Sequence, residues 1–276
     1  MLNPIKVIAP LAAVAGLFTA FVEGAQAANL VSYRAIYDVR LADAKRGSNI
    51  SAATGQIAYG VKEACDSWLA NQSSNMYLQT TNGDVIPQVV SFSSWESRDG
   101  KHYRFIGTDD GDEEGDIFGS AKMPQGNGPD NGTGVGEARF SKPQDAIFKL
   151  PSGTMFPVQH TKHILKQARD GQTQFQNMVF EGIDVEGAKL LVTFVSPLSE
   201  RARDLSKQFS AQALNRPGWN FRLAYFDPTS QTGVPMYEIE ADYLDNGVPI
   251  RWLMDYGDFT IEMSVSKIEI LPRPDC

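Results

Sequence analysis

Basic residues are scarce in this chain, and their scarcity limits its partners. The 276 residues include 25 lysines and arginines against 33 aspartates and glutamates, which gives a net charge of −8 at pH 7. Binding to nucleic acid or to anionic lipid headgroups requires clustered lysine and arginine. We therefore expect neither nucleic acid nor an anionic membrane surface as a partner.

Motifs of the common nucleophilic and nucleotide-dependent enzymes are also missing. The sequence contains no GxSxG elbow, no Walker-type GK[ST] and no HExxH. Gly132, Gly134 and Gly136 form a GxGxG that no parallel strand precedes and no helix follows, so we interpret them as flexible or positive-φ turn positions. We therefore predict no catalytic residues and no cofactor.

An apolar run long enough to span a bilayer, ~20 residues, is lacking too. The longest run, residues 7–22, is interrupted by proline and glycine, follows Lys6 and precedes the small-x-small tripeptide 25–27. This arrangement is typical of a secretory signal peptide. We predict a signal peptide over residues 1–27 and a mature domain over 28–276, located in the periplasm of a Gram-negative bacterium, with no membrane-spanning segment.

Cysteine is nearly absent. Cys65 and Cys276 are the only two, and they lack the CxxC spacing of redox motifs. An exported chain normally oxidises such a pair to a disulfide, and closing a loop of this length removes roughly 5 kcal/mol of unfolded-state freedom in the chain-entropy model. We predict a structural disulfide that fastens the last strand near the start of the fold and leaves neither cysteine free as a nucleophile.

Most of the mature segment shows the two-residue period of half-buried strands. Tyr33, Ala35 and Tyr37 share one parity, while the intervening positions include charged residues. Similar runs occupy residues 50–61, 68–80, 85–95, 102–107, 190–195, 221–226, 237–244, 250–256 and 259–270. Turn pairs at Asn82-Gly83, Asp99-Gly100 and Asn246-Gly247 predict hairpins between them. We predict a mainly β fold of about a dozen antiparallel strands.

One segment has helical spacing instead. Pro157 suits a first helical position, and Gly171 a C-terminal stop. Apolar residues between them recur at helical spacing and predict one amphipathic helix that covers the curved sheet. Three irregular stretches remain: 109–116 and 126–136, which we interpret as hairpin tips, and 200–216, which we interpret as a loop with room for a short helix.

Two patterns of polar residues are candidates for metal sites. His160 and His163 lie three apart on the predicted helix and are candidate metal ligands, but no third ligand is identifiable by spacing. The alternative places His160 beside the apolar stripe and His163 in solvent. Asp110, Asp112 and Glu114 match part of an EF-hand loop, yet position twelve is an alanine, so we predict a solvated acidic loop and no metal.

Other side chains leave alternatives open. Four carboxylates near predicted turns, Glu96, Asp99, Asp255 and Asp258, suit local hydrogen bonding better than a catalytic dyad. The tryptophans are candidates for the lining of a lipid-sized cavity or for ordinary core; they are Trp68, Trp95, Trp219 and Trp252.

Several separate segments of this sequence resemble the EipB family of periplasmic cell-envelope integrity proteins. They are EACDSW at 63–68, SWESRDGK at 94–101, LPSGTMFP at 150–157 followed by His160, and the tail from Tyr237 to Cys276. The resemblance covers nearly the whole mature chain. It implies one strongly bent antiparallel sheet, a β-spiral or open barrel of about 12 to 14 strands, with a central helix. It also implies a disulfide joining the first third to the C-terminus, and a structural likeness to carriers of outer-membrane lipoproteins. One departure is visible, since Phe180-Glu181-Gly182 stands where the family is expected to have Phe-Asp-Gly, and we expect it to affect only a local turn.

The residues and the resemblance together lead to a functional hypothesis with two rivals. We expect a non-enzymatic periplasmic protein that supports cell-envelope integrity by binding another envelope protein. The first rival is a carrier that holds a lipid or lipoprotein acyl chain in a concave apolar cavity. The second is a metal-dependent hydrolase built on His160 and His163.

Overall fold

Alternation of apolar and polar residues produces one fourteen-stranded antiparallel sheet. The structure, a computed structural model, describes residues 30–109, 115–124, 134–209, 214–230 and 232–276. The strands are β1 (Tyr33–Ala44), β2 (Ile50–Glu63), β3 (Ser67–Thr80), β4 (Val85–Ser97), β5 (His102–Asp109), β6 (Ile117–Lys122), β7 (Gly136–Lys142), β8 (Ala146–Leu150), β9 (Gln174–Val179), β10 (Lys189–Pro197), β11 (Gly218–Phe226), β12 (Tyr237–Leu244), β13 (Pro249–Asp255) and β14 (Phe259–Ile270). Two α-helices accompany them, α1 (Pro157–Arg169) and α2 (Glu200–Lys207).

The sheet is a meander whose two ends in sequence meet in its middle. Its spatial order is β8-β7-β6-β5-β4-β3-β2-β1-β14-β13-β12-β11-β10-β9, so β1 pairs with both β2 and β14. The edge strands β8 and β9 are not paired with each other, and the sheet therefore stays open. The chain between them contains α1, and a single parallel bridge joins Met155 to Val179 beside the gap. This confirms the predicted open, antiparallel β architecture with a central helix.

All three predicted hairpin turns are present, with Gly83, Gly100 and Gly247 at positive φ. The sequence patterns did not identify β6 to β9. These strands have only five to seven residues, and runs this short give an ambiguous pattern. In β9 the polar Asn177 also shares the parity of Phe175 and Val179, which interrupts the apolar pattern. α2 lies in the stretch predicted as a loop with room for a short helix.

Glycine at position 136 corrects an expectation about turns. Gly136 begins β7, where a Cβ atom would stand 2.6 Å from the carbonyl oxygen of Lys122. Close approach of two strands therefore requires this glycine, not a positive φ. Gly132, Asp110, Asp112, Glu114 and the proposed signal peptide lie outside the described residues.

The buried residues form two clusters. The larger cluster joins α1 and α2 to residues of β1, β2 and β10 to β14. The smaller one is aromatic and lies at the β5 to β8 end of the sheet, where the ring of Phe180 contacts those of Phe105 and Phe140 edge-on. Aromatic pairs of this kind contribute about 0.5–1.5 kcal/mol each beyond their buried area.

A buried carboxylate fixes the position of α1. Phe156, the N-cap residue, offers no side-chain acceptor, so two terminal N–H groups need another partner. Glu96, only 1% exposed, accepts from the backbone nitrogens of Val158 at 2.8 Å and Gln159 at 2.9 Å. Glu96 is therefore not merely a turn residue, as the sequence suggested: it ties the end of β4 to the start of α1.

The opposite face of the sheet carries a buried ionic cluster beneath α2. Arg251 donates to Glu262 at 3.0 Å and to Asp242 at 3.0 Å. Asp242 also accepts from the backbone nitrogen and hydroxyl of Ser199, the N-cap residue of α2, while Arg201 donates to Glu262. These contacts hold α2 on the outer face, since Ala241 and Met263, of the opposite parity, face inward.

The disulfide joins a turn to the chain terminus. Cys65 lies between β2 and β3, and its Cα is 5.7 Å from that of Cys276. The last strand, β14, is already paired along both edges, with β1 and β13. The bond instead fastens the tail beyond Ile270. This tail begins beside the start of β1, where the backbone nitrogen of Leu271 donates a 2.8 Å hydrogen bond to the carbonyl oxygen of Ser32.

Candidate ligand cavity

α1 and the inward face of the curved sheet enclose a cavity of about 830 Å³. Its walls come from β2 to β5, from β11 to β14 and from α1, so both halves of the meander contribute. Such a space arises because a strongly bent sheet and one helix of 13 residues leave part of the concavity unfilled. The volume falls within the range of small-molecule binding sites, about 300–1,000 Å³.

The deep part of the cavity is apolar. Buried side chains from three directions line it, among them Ile57 of β2, Ile164 of α1 and Leu223 of β11. Trp252 adds a large aromatic surface, and its ring meets that of Tyr59 edge-on with 5.7 Å between centroids. A hydrocarbon chain entering this region would leave water and contact mostly carbon atoms.

The cavity opens where exposed residues take part in its lining. Pro143 and Gln144 of the β7–β8 turn are exposed, as are Ile183 and Glu186 of the β9–β10 connection. Ile183 leaves 49% of its surface accessible. These residues mark the mouth, and the cavity thus runs from a mixed rim to an apolar interior.

Glu181 places a carboxyl group in the cavity wall near this mouth. Its Oε1 accepts a 3.3 Å hydrogen bond from the hydroxyl of Tyr225, and burial raises its pKa to about 7 despite the nearby Lys189. The next residue must be glycine, because Gly182 has φ 71° and a Cβ atom there would lie 2.8 Å from the Phe105 ring. The side chain at position 181 therefore forms part of the cavity wall. This corrects the expectation that glutamate in place of the family's aspartate affects only a local turn.

Two further carboxylates line the cavity beside Glu181. Asp184 forms an ion pair with the ammonium group of Lys189, and Glu186 lies 3.4 Å from the same nitrogen. The Lys189 side chain is almost fully buried, and the Asp184 hydrogen bond holds its pKa above the usual value although desolvation, the largest influence, opposes this. One cation thus balances part of a three-carboxylate cluster.

His160 contributes a polar atom from the helix. The residue is 8% exposed and lines the cavity, and its buried Nε2 has no hydrogen-bond partner among the described residues. Desolvation lowers its pKa to about 3, so the imidazole is neutral at physiological pH. His163 is not in solvent, as the alternative to a metal site predicted: it is half-buried, and its ring lies edge-on to Phe175. In the described part of the chain, no three His, Cys, Asp or Glu side chains are grouped to hold a metal ion.

The other sequence candidates are dispersed. Asp99 accepts from Ser97 and from the backbone of Lys101, and Asp255 accepts from the backbone of Gly257, as expected for turn carboxylates. The tryptophans divide between the two alternatives: Trp252 lines the cavity, Trp68 belongs to the core, and Trp219 packs against that core. Trp95 instead lies under the guanidinium of Arg104, 5.5 Å from its ring centroid.

No pattern in the sequence predicts that Glu181, Asp184 and Lys189 form a group. The one signal at this place is the departure from the family pattern at position 181. The arrangement offers apolar surface, one neutral imidazole and a carboxylate cluster, which suits binding of an amphiphilic molecule. Neither helix of the described residues is long and apolar enough to cross a membrane.

Comparisons with known proteins agree with this architecture. The cell envelope integrity protein EipB of Brucella abortus (strain 2308) is 29% identical over 260 residues, which cover 92% of this chain and 89% of that protein. The crystal structure of a beta-barrel-like protein of a domain of unknown function from Brucella abortus matches with a TM-score of 0.78 and 26% identity, covering 88% of this chain and 99% of that one. The EipB-like family model matches residues 24–272, and the chain belongs to that family.

Proposed function

We propose that this protein supports cell-envelope integrity without catalysis, by binding an apolar or amphiphilic ligand in the cavity between α1 and the sheet. The observation that carries the proposal is the 830 Å³ cavity with its apolar depth. The name of the Brucella relative supports the envelope role. A signal peptide over residues 1–27 and a periplasmic location belong to the same proposal, as does the structural disulfide.

The physical argument for a ligand rests on the cost of the empty space. A protein interior is normally close-packed, and unfilled apolar volume forfeits dispersion contacts with every lining atom. Ala241, a small residue in the wall opposite Phe221 of β11 and Trp252 of β13, leaves space that a larger side chain would fill. Retaining an unfilled volume in this way is typical of proteins that bind a ligand there.

Mass spectrometry of the protein purified under non-denaturing conditions tests the proposal. We expect a lipid or other apolar molecule to co-purify at near one-to-one stoichiometry and to be released by solvent extraction. Ala241→Phe should place a ring in the cavity and lower the bound fraction. Ala44→Phe, at the exposed end of β1, is the matched control and should retain the ligand.

The proposal fails if the wild-type protein neither co-purifies with an apolar ligand nor binds one added in vitro. Circular dichroism and thermal unfolding show whether Ala241→Phe folds. Because the wild-type measurements are independent of that variant, they test the proposal even if it does not.

A second candidate, interaction with another envelope protein, is favoured by the end of the β3–β4 hairpin. Residues 85–89 of β4 pair with β3, and in the described residues their other edge has no partner, because pairing with β5 begins at Val90. Val85 is 58% exposed, Ile86 41% and Tyr77 42%. An open edge with exposed apolar side chains suits addition of a strand from a partner.

Cross-linking and affinity purification in cells test this second candidate. We expect a specific partner to be lost with the double variant Val85→Lys/Ile86→Lys and retained with Val234→Lys, which alters an equally exposed valine elsewhere, 66% accessible. Identical partners for all three proteins would rule out this hairpin as the interaction site.

A further inference from the structure

The charges around the cavity are strongly one-sided. Three carboxylates line it near the mouth, from Glu181, Asp184 and Glu186, whereas no lysine or arginine is among the described lining residues. The nearest cation in the cluster, Lys189, is already engaged by Asp184 and Glu186. An anionic head group would therefore meet like charges and find no free cation.

Two side chains of the cavity wall, Glu181 and His160, carry acceptor atoms. Among the described residues, the side chain of Glu181 accepts one weak hydrogen bond, of 3.3 Å, from Tyr225. The unpartnered Nε2 of His160 belongs to a neutral imidazole and adds no positive charge. Both groups are able to accept hydrogen bonds from a donor head group.

We propose that the cavity selects a long-chain amphiphile with an ammonium head group, whose chain fills the apolar depth and whose head binds at Glu181. This inference rests on the proposed function, since it names the class of ligand for the same site. An ammonium group supplies three donors and the opposite charge to a desolvated carboxylate. A carboxylate or phosphate head is repelled there, and this repulsion provides the specificity.

Three probes of equal chain length test the proposal: decylamine, 1-decanol and decanoate, each titrated into the full chain at pH 8 and below its critical micelle concentration. Displacement of a fluorescent apolar probe measures the affinities. We expect decylamine to bind about tenfold more tightly than 1-decanol, a difference of about 1.4 kcal/mol, and decanoate to bind more weakly than either.

Glu181→Gln separates the charge from the apolar contacts. This variant should bring decylamine and 1-decanol to within about threefold of each other while leaving the affinity for 1-decanol nearly unchanged. Glu200→Gln removes a carboxylate from the exposed start of α2, where the side chain is 92% accessible, and should keep the wild-type preference.

The outcomes distinguish the two proposals. If 1-decanol binds but decylamine shows no preference, or if Glu181→Gln leaves that preference intact, the ammonium inference is overturned and the ligand cavity stands. If decanoate binds as tightly as decylamine, the inference is also overturned. If none of the three probes binds, the inference fails, and the proposed cavity function fails with it if no apolar ligand co-purifies either.

Discussion

At the scale of single residues, burial shifts the pKa values of several ionisable groups far from their ordinary values. Glu181 and Glu96 both have a pKa raised to about 7, chiefly because desolvation disfavours the charged carboxylate. Burial acts in the opposite direction on His160 and lowers its pKa to about 3. The same physical cause therefore keeps all three groups closer to neutrality than they are in water.

The raised pKa of Glu181 predicts how stability depends on pH. Its folded pKa exceeds the ordinary 4.5, so the native state binds its proton more tightly and this contribution is lost as pH rises from about 4.5 to about 7. His160 acts oppositely below about pH 6.5, because its folded pKa lies below the ordinary value.

Glu181→Gln isolates the first of these effects. Relative to wild type, the variant should gain about 1–3 kcal/mol of unfolding free energy between pH 5 and pH 8, since one pKa unit corresponds to 1.36 kcal/mol. Urea unfolding at both pH values measures the gain, with Glu200→Gln as control. A difference that is independent of pH, or that falls with rising pH, would contradict the assignment.

At the scale of elements, contacts from distant strands determine where the helices lie. α1 begins with proline at its first position and has no side-chain cap of its own, so its two terminal N–H groups depend on Glu96 of β4. α2 depends likewise on Asp242 and Glu262 of the outer face. Each helix is thus positioned by carboxylates more than 40 residues away in sequence.

Removal of the α1 cap should loosen the cavity wall. We expect Glu96→Ala to lower the free energy of unfolding by about 1–3 kcal/mol, because it leaves two buried N–H donors without an acceptor. Hydrogen exchange should show faster exchange at Val158 and Gln159 than in Asp99→Ala, which alters a neighbouring turn carboxylate. Unchanged protection of the first turn of α1 would refute this role of Glu96.

The predictability of elements follows from their length and their neighbours. Long strands such as β1, β3 and β14 were predictable, because 12 or 14 residues of alternation establish the pattern locally. The short strands β6 to β9 obtain their conformation from pairing with neighbours, which no local pattern records. The mouth carboxylates were likewise unpredictable, since only folding brings the β9–β10 connection to the end of the cavity.

At the scale of the whole molecule, the disulfide joins parts of the chain 211 residues apart. The turn that contains Cys65 is also held by contacts other than the disulfide. Arg98 donates to the carbonyl oxygens of Ala64 and Cys65 and forms a 3.0 Å ion pair with Glu63. The bond therefore constrains the unfolded chain and the tail, while the hydrogen bonds of β14 hold that strand.

Cys276→Ser should separate these contributions. We expect a melting temperature lower by on the order of 10 °C, from the roughly 5 kcal/mol of loop-closure entropy and the usual slope for a domain of this size. Hydrogen exchange in the tail after Ile270 should accelerate, whereas β14 should stay protected. Differential scanning calorimetry under oxidising conditions provides the check: an unchanged melting temperature, or loss of protection along β14, would count against this account.

The sequence alone determined the strand-rich class, the central helix, the hairpin turns and the pairing of two cysteines. These depend on local periodicity, on turn chemistry and on the small number of thiols. Tertiary structure alone decided the order of the strands, the open cavity and the environments of Glu96, His160 and Glu181. Those properties depend on which distant groups become neighbours and on how much water they lose, and both are set by the curvature of the whole sheet.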